Sequence, residues 1–263
     1  SERSKNMEKL LEVKALTKKY QEESIENKVV DNVNLQVGKG EFVMIMGASG
    51  SGKTSLLHLL AGIDPFDSGS IQYTQSGQTA DFSQMSETEK AVFRRTNIGI
   101  VFQQQCLIPD LTVYENIMMP VLLGGNQKAK DSMKDTILNL CGQFGLKEHI
   151  QKYPSQLSGG QQQRAAILRA VINRPPLLLC DEPTGSLNSA QSVIVMDLLD
   201  ELNRNGQTIL LVTHDVKVAV RGGRVVYIKD GRAAGELKFT DDGSCPVGHR
   251  EEELMRFLQK RGW

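Results

Sequence analysis

Three glycines, a lysine and a threonine stand within Gly47-Ala48-Ser49-Gly50-Ser51-Gly52-Lys53-Thr54. The spacing is G-x-x-x-x-G-K-[ST], and each position has a physical use. A triphosphate carries several negative charges on compact groups, so its site needs many donors and little bulk. Gly47, Gly50 and Gly52 let backbone N–H groups turn inward, with Ser49, Ser51 and Ser55 around them. The helix that follows presents its positive end. Lys53 supplies a point charge for the β- and γ-phosphates, and the Thr54 hydroxyl suits Mg²⁺.

A second group of residues complements the first. Leu177-Leu178-Leu179-Cys180 reads as a buried strand that delivers Asp181 at its carboxyl end, where ligands of open α/β sheets bind. Asp181 fits a metal-holding carboxylate, and Glu182 is placed to polarise or deprotonate an attacking water. Between the two groups lies Leu157-Ser158-Gly159-Gly160-Gln161. By itself that run describes an ordinary helix N-cap, or a helix end built to meet an anion.

The elements that must position these residues can be laid out from periodicity and turn chemistry. Residues 10–16 and 29–37 alternate like strands, and 41–46 is an apolar β run ending in the glycine loop. Residues 53–61 read as a helix, so the loop stands between strand and helix. Turn chemistry at 64–70 precedes a short strand at 71–73. A helix is expected over 87–95 and a strand over 98–102. From 112 to about 148 the pattern is helical, broken at Gly124-Gly125-Asn126. A helix over 158–171 opens on the serine–glycine run. Strands at 177–181, 208–213 and 224–228 then alternate with a helix over 189–203. This order predicts an α/β fold: a P-loop NTPase core with a mostly parallel sheet, an antiparallel β subdomain and an inserted α-helical subdomain. The expected organisation is a disordered or tag-like start (1–6), one domain over 7–240 with the helical subdomain at about 104–174, and a C-terminal extension with a short helix (241–263). In that helix Leu254, Phe257 and Leu258 form one apolar face, to dock on its own domain or on a partner.

Bulk properties narrow the function classes. Lys plus Arg equals Asp plus Glu at 31 each, so no net field draws the chain to nucleic acid or anionic lipid. Four scattered cysteines form no C-x-x-C pair and suit a reducing compartment, with Cys180 as a small buried hydrophobe. Cys245 and His249 make a poor zinc pair. No apolar run approaches the roughly 20 residues that cross a bilayer, the longest candidate being 117–123, broken by Pro120. If the chain drives transport, the membrane path belongs to another chain.

Taken with Tyr153-Pro154-Ser155-Gln156 before it and Gln162-Gln163-Arg164 after, the serine–glycine run closely resembles the signature of the ATP-binding cassette (ABC) ATPases. The resemblance covers about residues 10–235. It implies that Ser158, Gly159, Gly160 and Gln161 grip the γ-phosphate of ATP held by a second copy of the subunit. It places Gln103, after Ile98-Gly99-Ile100-Val101-Phe102, where the family has a glutamine that contacts Mg²⁺ or the water; Gln104 and Gln105 adjoin it, so the frame is open by one or two. It makes His214, in Leu211-Val212-Thr213-His214-Asp215, a switch at the γ-phosphate, and Tyr20 an aromatic that stacks on adenine. After Pro183-Thr184-Gly185 the family ends its loop with aspartate, whereas this chain has Ser186-Leu187-Asn188. The stretches 85–103 and 107–116 resemble the branch of lipoprotein-release, macrolide-export, cell-division and antimicrobial-peptide-resistance ATPases. That resemblance implies an ATPase using ATP and Mg²⁺ at the cytoplasmic face of the membrane, a homodimer on ATP binding, an integral membrane permease as partner and no nucleic acid. The implied work is export or extraction of a peptide, drug or lipoprotein, or else mechanical signalling with nothing transported. A DNA-repair ATPase would need a long coiled coil, and a translation factor two cassettes. Met118 and Met119 suit either a groove for a partner helix or simple core packing.

Overall fold

The computed structural model describes residues 8–22, 25–124, 129–239 and 247–263. The expected start at 1–6, Gly125-Asn126 of the expected helix break and Cys245 lie outside them. In chain order the elements are β1 (Lys9–Glu22), β2 (Ile25–Gly38), β3 (Phe42–Met46), α1 (Lys53–Leu60), β4 (Ser68–Gln75), β5 (Gln78–Asp81) and α2 (Glu87–Asn97). Next come β6 (Ile98–Val101), α3 (Val113–Leu123), α4 (Ala129–Gln143), α5 (Gly159–Val171), β7 (Leu177–Asp181) and α6 (Ser189–Arg204). The chain closes with β8 (Thr208–Thr213), α7 (Val216–Ala219), β9 (Arg224–Lys229), β10 (Arg232–Lys238) and α8 (Val247–Gln259). They fall into two compact units, Ser1–Ala91 with Gly206–Trp263, and Val92–Asn205.

The first unit contains the antiparallel sheet β2-β1-β4-β5. It also contains β3, which runs parallel to β8 on one side and to β9 on the other, with β10 antiparallel on β9. All five residues of β3 and all six of β8 are buried. Strands covered on both faces read as continuous apolar runs rather than as alternation, which is how 41–46 and 208–213 stood out. The β1–β2 pair is longer than the sequence pattern suggested. Its register shifts between Val13 and Leu16, where Ala15 takes φ 49° and its N–H donates to Asn34 Oδ1 at 3.0 Å. A bulge of this kind breaks the alternation that periodicity depends on.

Arg224, 6 % exposed, pins the root of β9. Its guanidinium donates to Glu41 Oε1 (2.6 Å), Glu41 Oε2 (3.0 Å), Glu236 Oε2 (3.0 Å) and the Gln36 carbonyl (2.6 Å). Burial lowers its pKa, but the bonds and charges of Glu41 and Glu236 outweigh that and raise it. The C-terminal helix docks on its own unit. Leu254, Phe257 and Leu258 are buried, Arg250 donates to the Val220 carbonyl and lies over the Phe239 ring, and Trp263 meets Tyr227 of β9 edge-on.

In the second unit β6 and β7 pair in parallel, and α5 packs on both β6 and α3. A capping box starts α3: Thr112 Oγ1 accepts from Glu115 N–H while the Glu115 carboxylate accepts from Thr112 N–H. Fully buried Asn116 then ties down the preceding loop, donating to the Ile108 and Leu111 carbonyls and accepting from Ile108 N–H. Of the two methionines, Met118 is buried in this packing and Met119 is half-buried. Among the described residues no helix is long and apolar enough to cross a membrane.

Candidate functional site

The candidate residues divide between the units. In the first, β3 ends at Met46 and the glycine loop begins where β8 and β9 flank it. Met46 pairs with Thr213 and with Tyr227, so the next step of the register brings Gly47 between His214 and Ile228. The Ile228 carbonyl lies close against Gly47. Ser51 N–H donates to the Ala48 carbonyl (3.2 Å), and the Ser51 carbonyl accepts from Gly231 N–H in the β9–β10 turn (3.1 Å). Gly50 and Gly52 take φ 76° and 94°, left-handed values that glycine adopts without cost. At Gly52 any Cβ would also fall inside the Val29 carbonyl oxygen.

Whether a triphosphate suits this loop can be judged from its donors. Lys53 is buried at 5 % exposure, its ammonium arched over the loop onto the Ala48 carbonyl at 2.7 Å. Helix α1 begins at Gly52 with no side-chain cap and no acidic residue in its first turn. Ser51 Oγ is buried with no hydrogen-bond partner among the described residues. Thr54 is exposed, with Ser49 and Gly50. An uncapped helix N-terminus, a buried ammonium and an unsatisfied hydroxyl together fit polyanionic phosphate. Thr54 then stands where a phosphate-bound Mg²⁺ would find a hydroxyl.

Two further candidates share this unit. His214 is exposed just past β8; the Thr213 hydroxyl accepts from Asp215 N–H, and Asp215 caps α7 through Lys217 N–H. This fixes the backbone on the carboxyl side of the histidine. Tyr20, on β1, is 41 % exposed with Lys18 Nζ 5.0 Å from its ring centroid. Burial and then Asp64 and Asp67 raise its phenol pKa.

In the second unit β7 delivers Asp181, 7 % exposed, at its carboxyl end. Glu182 follows with φ 42°, a left-handed backbone that costs a non-glycine residue free energy. Its carbonyl accepts from Gly185 N–H at 3.0 Å, closing a turn. Gln103 Nε2 and Glu182 Oε2 both reach the space beside Gly185. Gln105 instead donates to Ser186 Oγ at 3.3 Å. Burial pushes the thiol of Cys180 up, Asp181 adding to it, and the cysteine is an inert wall of the strand.

Ser158 is the N-cap of α5 in a capping box: it accepts from Gln161 N–H at 3.4 Å, and Gln161 Oε1 accepts from Ser158 N–H at 2.8 Å. Ser158 and Gly159 are exposed, whereas Gly160 is buried with the Gln191 side chain filling the place of a Cβ. Gln191 Oε1 in turn accepts from buried Arg164 at 3.4 Å, and Gln191 N–H donates to Asn188 Oδ1 at 2.9 Å. Asn188, the departure from the family pattern, therefore serves as the N-cap of α6. Sequence reasoning missed Gln191 and its partner Arg164 as supports of the serine–glycine run. The visible signal was a cap residue three positions before a glutamine.

A strand, a glycine loop with an arched buried lysine and an uncapped helix define a P-loop nucleoside triphosphatase. A family profile described as ABC transporter matches residues 30–185. Two solved structures are similar over 88 % of this chain and 99 % of theirs, each with a TM-score of 0.80. One is a dimeric post-hydrolysis state of the ATP-binding cassette MJ0796 bound to ADP and Pi, at 37 % identity. The other is a dimeric structure of MJ0796, a bacterial ABC transporter cassette, at 38 % identity. The chain belongs to the ABC transporter family, as an ATP-hydrolysing cassette.

Proposed function

We propose that the chain dimerises around two Mg-ATP and drives a separate integral membrane subunit at the cytoplasmic face of a membrane, exporting or extracting a substrate such as a peptide, drug or lipoprotein. Lys53 and the loop amides, with Ser49, Ser51 and Ser55, hold the phosphates, and Tyr20 stacks on adenine. Thr54, Asp181 and Gln103 hold Mg²⁺, which when bound screens the phosphate charge. Glu182 orients and deprotonates the attacking water, and His214 contacts the γ-phosphate. Ser158, Gly159, Gly160 and Gln161 complete the site of the opposite copy, Gly160 by letting α5 approach α6. The helical subdomain at about 104–174 is the part that meets the membrane subunit.

One observation carries the dimer: Ser158 and Gly159 sit exposed at the amino end of α5, a helix end suited to an anion. The MJ0796 structures, both dimeric, support the same reading. The test is ATPase rate against protein concentration for wild type and Glu182→Gln, with sizing in Mg-ATP. The rate per chain rises with concentration, and the variant binds ATP, loses at least about 100-fold in turnover and stays dimeric. A Glu182→Gln chain that turns over at the wild-type rate removes Glu182 as the base. Monomers at every concentration, with unchanged rate per chain, refute the composite site.

A further inference from the structure

Gln161 has two jobs in the capping box, and its side chain has a third contact. Its Nε2 lies 2.9 Å from His149 Nε2, in the short helical turn Lys147–His149. The amide's orientation follows from the box itself. Oε1 is the atom that accepts from Ser158 N–H at 2.8 Å, so the atom facing the imidazole is the amino group, which can only donate. His149 Nε2 must therefore be the acceptor, and the neutral ring carries its proton on Nδ1. That Nδ1 is buried and has no hydrogen-bond partner among the described residues. The ring thus holds its proton on the side with no partner and leaves a lone pair for Gln161, an arrangement that ring packing alone does not call for.

We propose that His149 is a positioning residue for the serine–glycine signature. By accepting from Gln161 Nε2 it fixes the glutamine rotamer, keeps Oε1 on Ser158 N–H, and so sets the amino end of α5. The chain of contacts runs His149, Gln161, Ser158, all within the second unit. In this role His149 acts through Gln161, the side chain its Nε2 meets. Its effect on turnover rests on the reading that Ser158 completes the partner's site. Its effect on the capping box does not.

The experiment compares full-length wild type with His149→Gln, which keeps a neutral acceptor, and His149→Phe, which keeps planar bulk and removes it. Long-range ¹H–¹⁵N spectra of the wild type, with the His149 signal identified by its loss in His149→Gln, locate the imidazole proton. It resides on Nδ1. Amide exchange at Ser158 quickens in His149→Phe and stays near wild type in His149→Gln. At saturating Mg-ATP, kcat per chain falls about three- to tenfold in His149→Phe, the worth of one hydrogen bond, while His149→Gln stays within about twofold. ATP affinity of the isolated subunit is unchanged in both. A proton on Nε2, or a phenylalanine variant that equals or exceeds the glutamine variant in Ser158 protection, overturns the proposal. A wild-type rate per chain independent of concentration overturns the composite site alone, because proton position and Ser158 exchange still decide the role of His149.

Discussion

Gly50 and Gly52 offer a matched pair in which backbone strain and steric conflict separate. Both adopt left-handed φ, 76° and 94°, so alanine at either carries the same penalty of about 1–2 kcal/mol. Both substitutions also gain about 0.4–1 kcal/mol from a stiffer unfolded chain, which cancels in the comparison. What differs is the surroundings. A Cβ at Gly50 meets nothing within 4 Å, whereas at Gly52 it enters the Val29 carbonyl oxygen. That oxygen belongs to β2, whose neighbour Val30 is registered on Lys18 of β1, so it cannot swing away as a side chain would. Forcing backbone apart adds about 1–3 kcal/mol. At about 2–4 °C per kcal/mol, an extra cost of ~2 kcal/mol puts Gly52→Ala about 4–8 °C below Gly50→Ala in Tm. Thermal melts without nucleotide read this directly, and Mg-ATP titration reads its effect on the loop. Equal melting temperatures for the two variants would refute the reasoning that the Val29 carbonyl bars a Cβ at Gly52.

Other perturbations test other parts of the argument. Arg224→Leu leaves Glu41 without its buried partner and should cost about 3–5 kcal/mol in a denaturant titration. Asn188→Ala removes the cap of α6 and should cost about 0.5–2 kcal/mol, while Asn188→Asp caps as well and should match wild type in the same assay. Leu258→Ala empties a fully buried position of α8 and should cost about 2–5 kcal/mol. Lys9 beside Glu12, Arg232 beside Asp31, Ser86 beside Glu89 and Thr112 beside Glu115 hold these carboxyls below their usual range. Because the folded state lowers these pKa values, the stability they contribute is complete above the unfolded values near about pH 4 and is lost as pH falls through the folded ones. Melts against pH should therefore be flat around neutrality and decline on the acid side.

The phosphate loop, Asp181 and Glu182 were legible because each is fixed by residue type at a set spacing beside a strand buried on both faces. Elements whose residues carry no periodic signal were not. β10, Arg-Ala-Ala-Gly-Glu-Leu-Lys, is largely exposed and lacks β-branched residues, so nothing in its composition announces a strand. β5 and α7, at four residues each, are too short for any period to show. The support of the signature was hidden for another reason. His149 and Gln161 are twelve residues apart with no regular repeat between them, and Gln191 reaches Gly160 from another helix. Such contacts exist only once the turn at Lys147–His149 and helix α6 have each packed against α5. The frame among Gln103, Gln104 and Gln105 was similarly a question of direction: Gln103 Nε2 lies beside Gly185 and Gln105 bonds Ser186.

With Glu182 in its proposed role as base, its left-handed backbone places stability and turnover in competition at a single position. Asparagine or glycine there would relax the chain by about 1 kcal/mol. A library of this protein selected for heat resistance alone should enrich those replacements and, in the same clones, lose hydrolysis. Growth selected on the working machine should keep the glutamate. The sequence drift of one residue under two pressures would thus read out what the fold gives up so that the reaction can proceed.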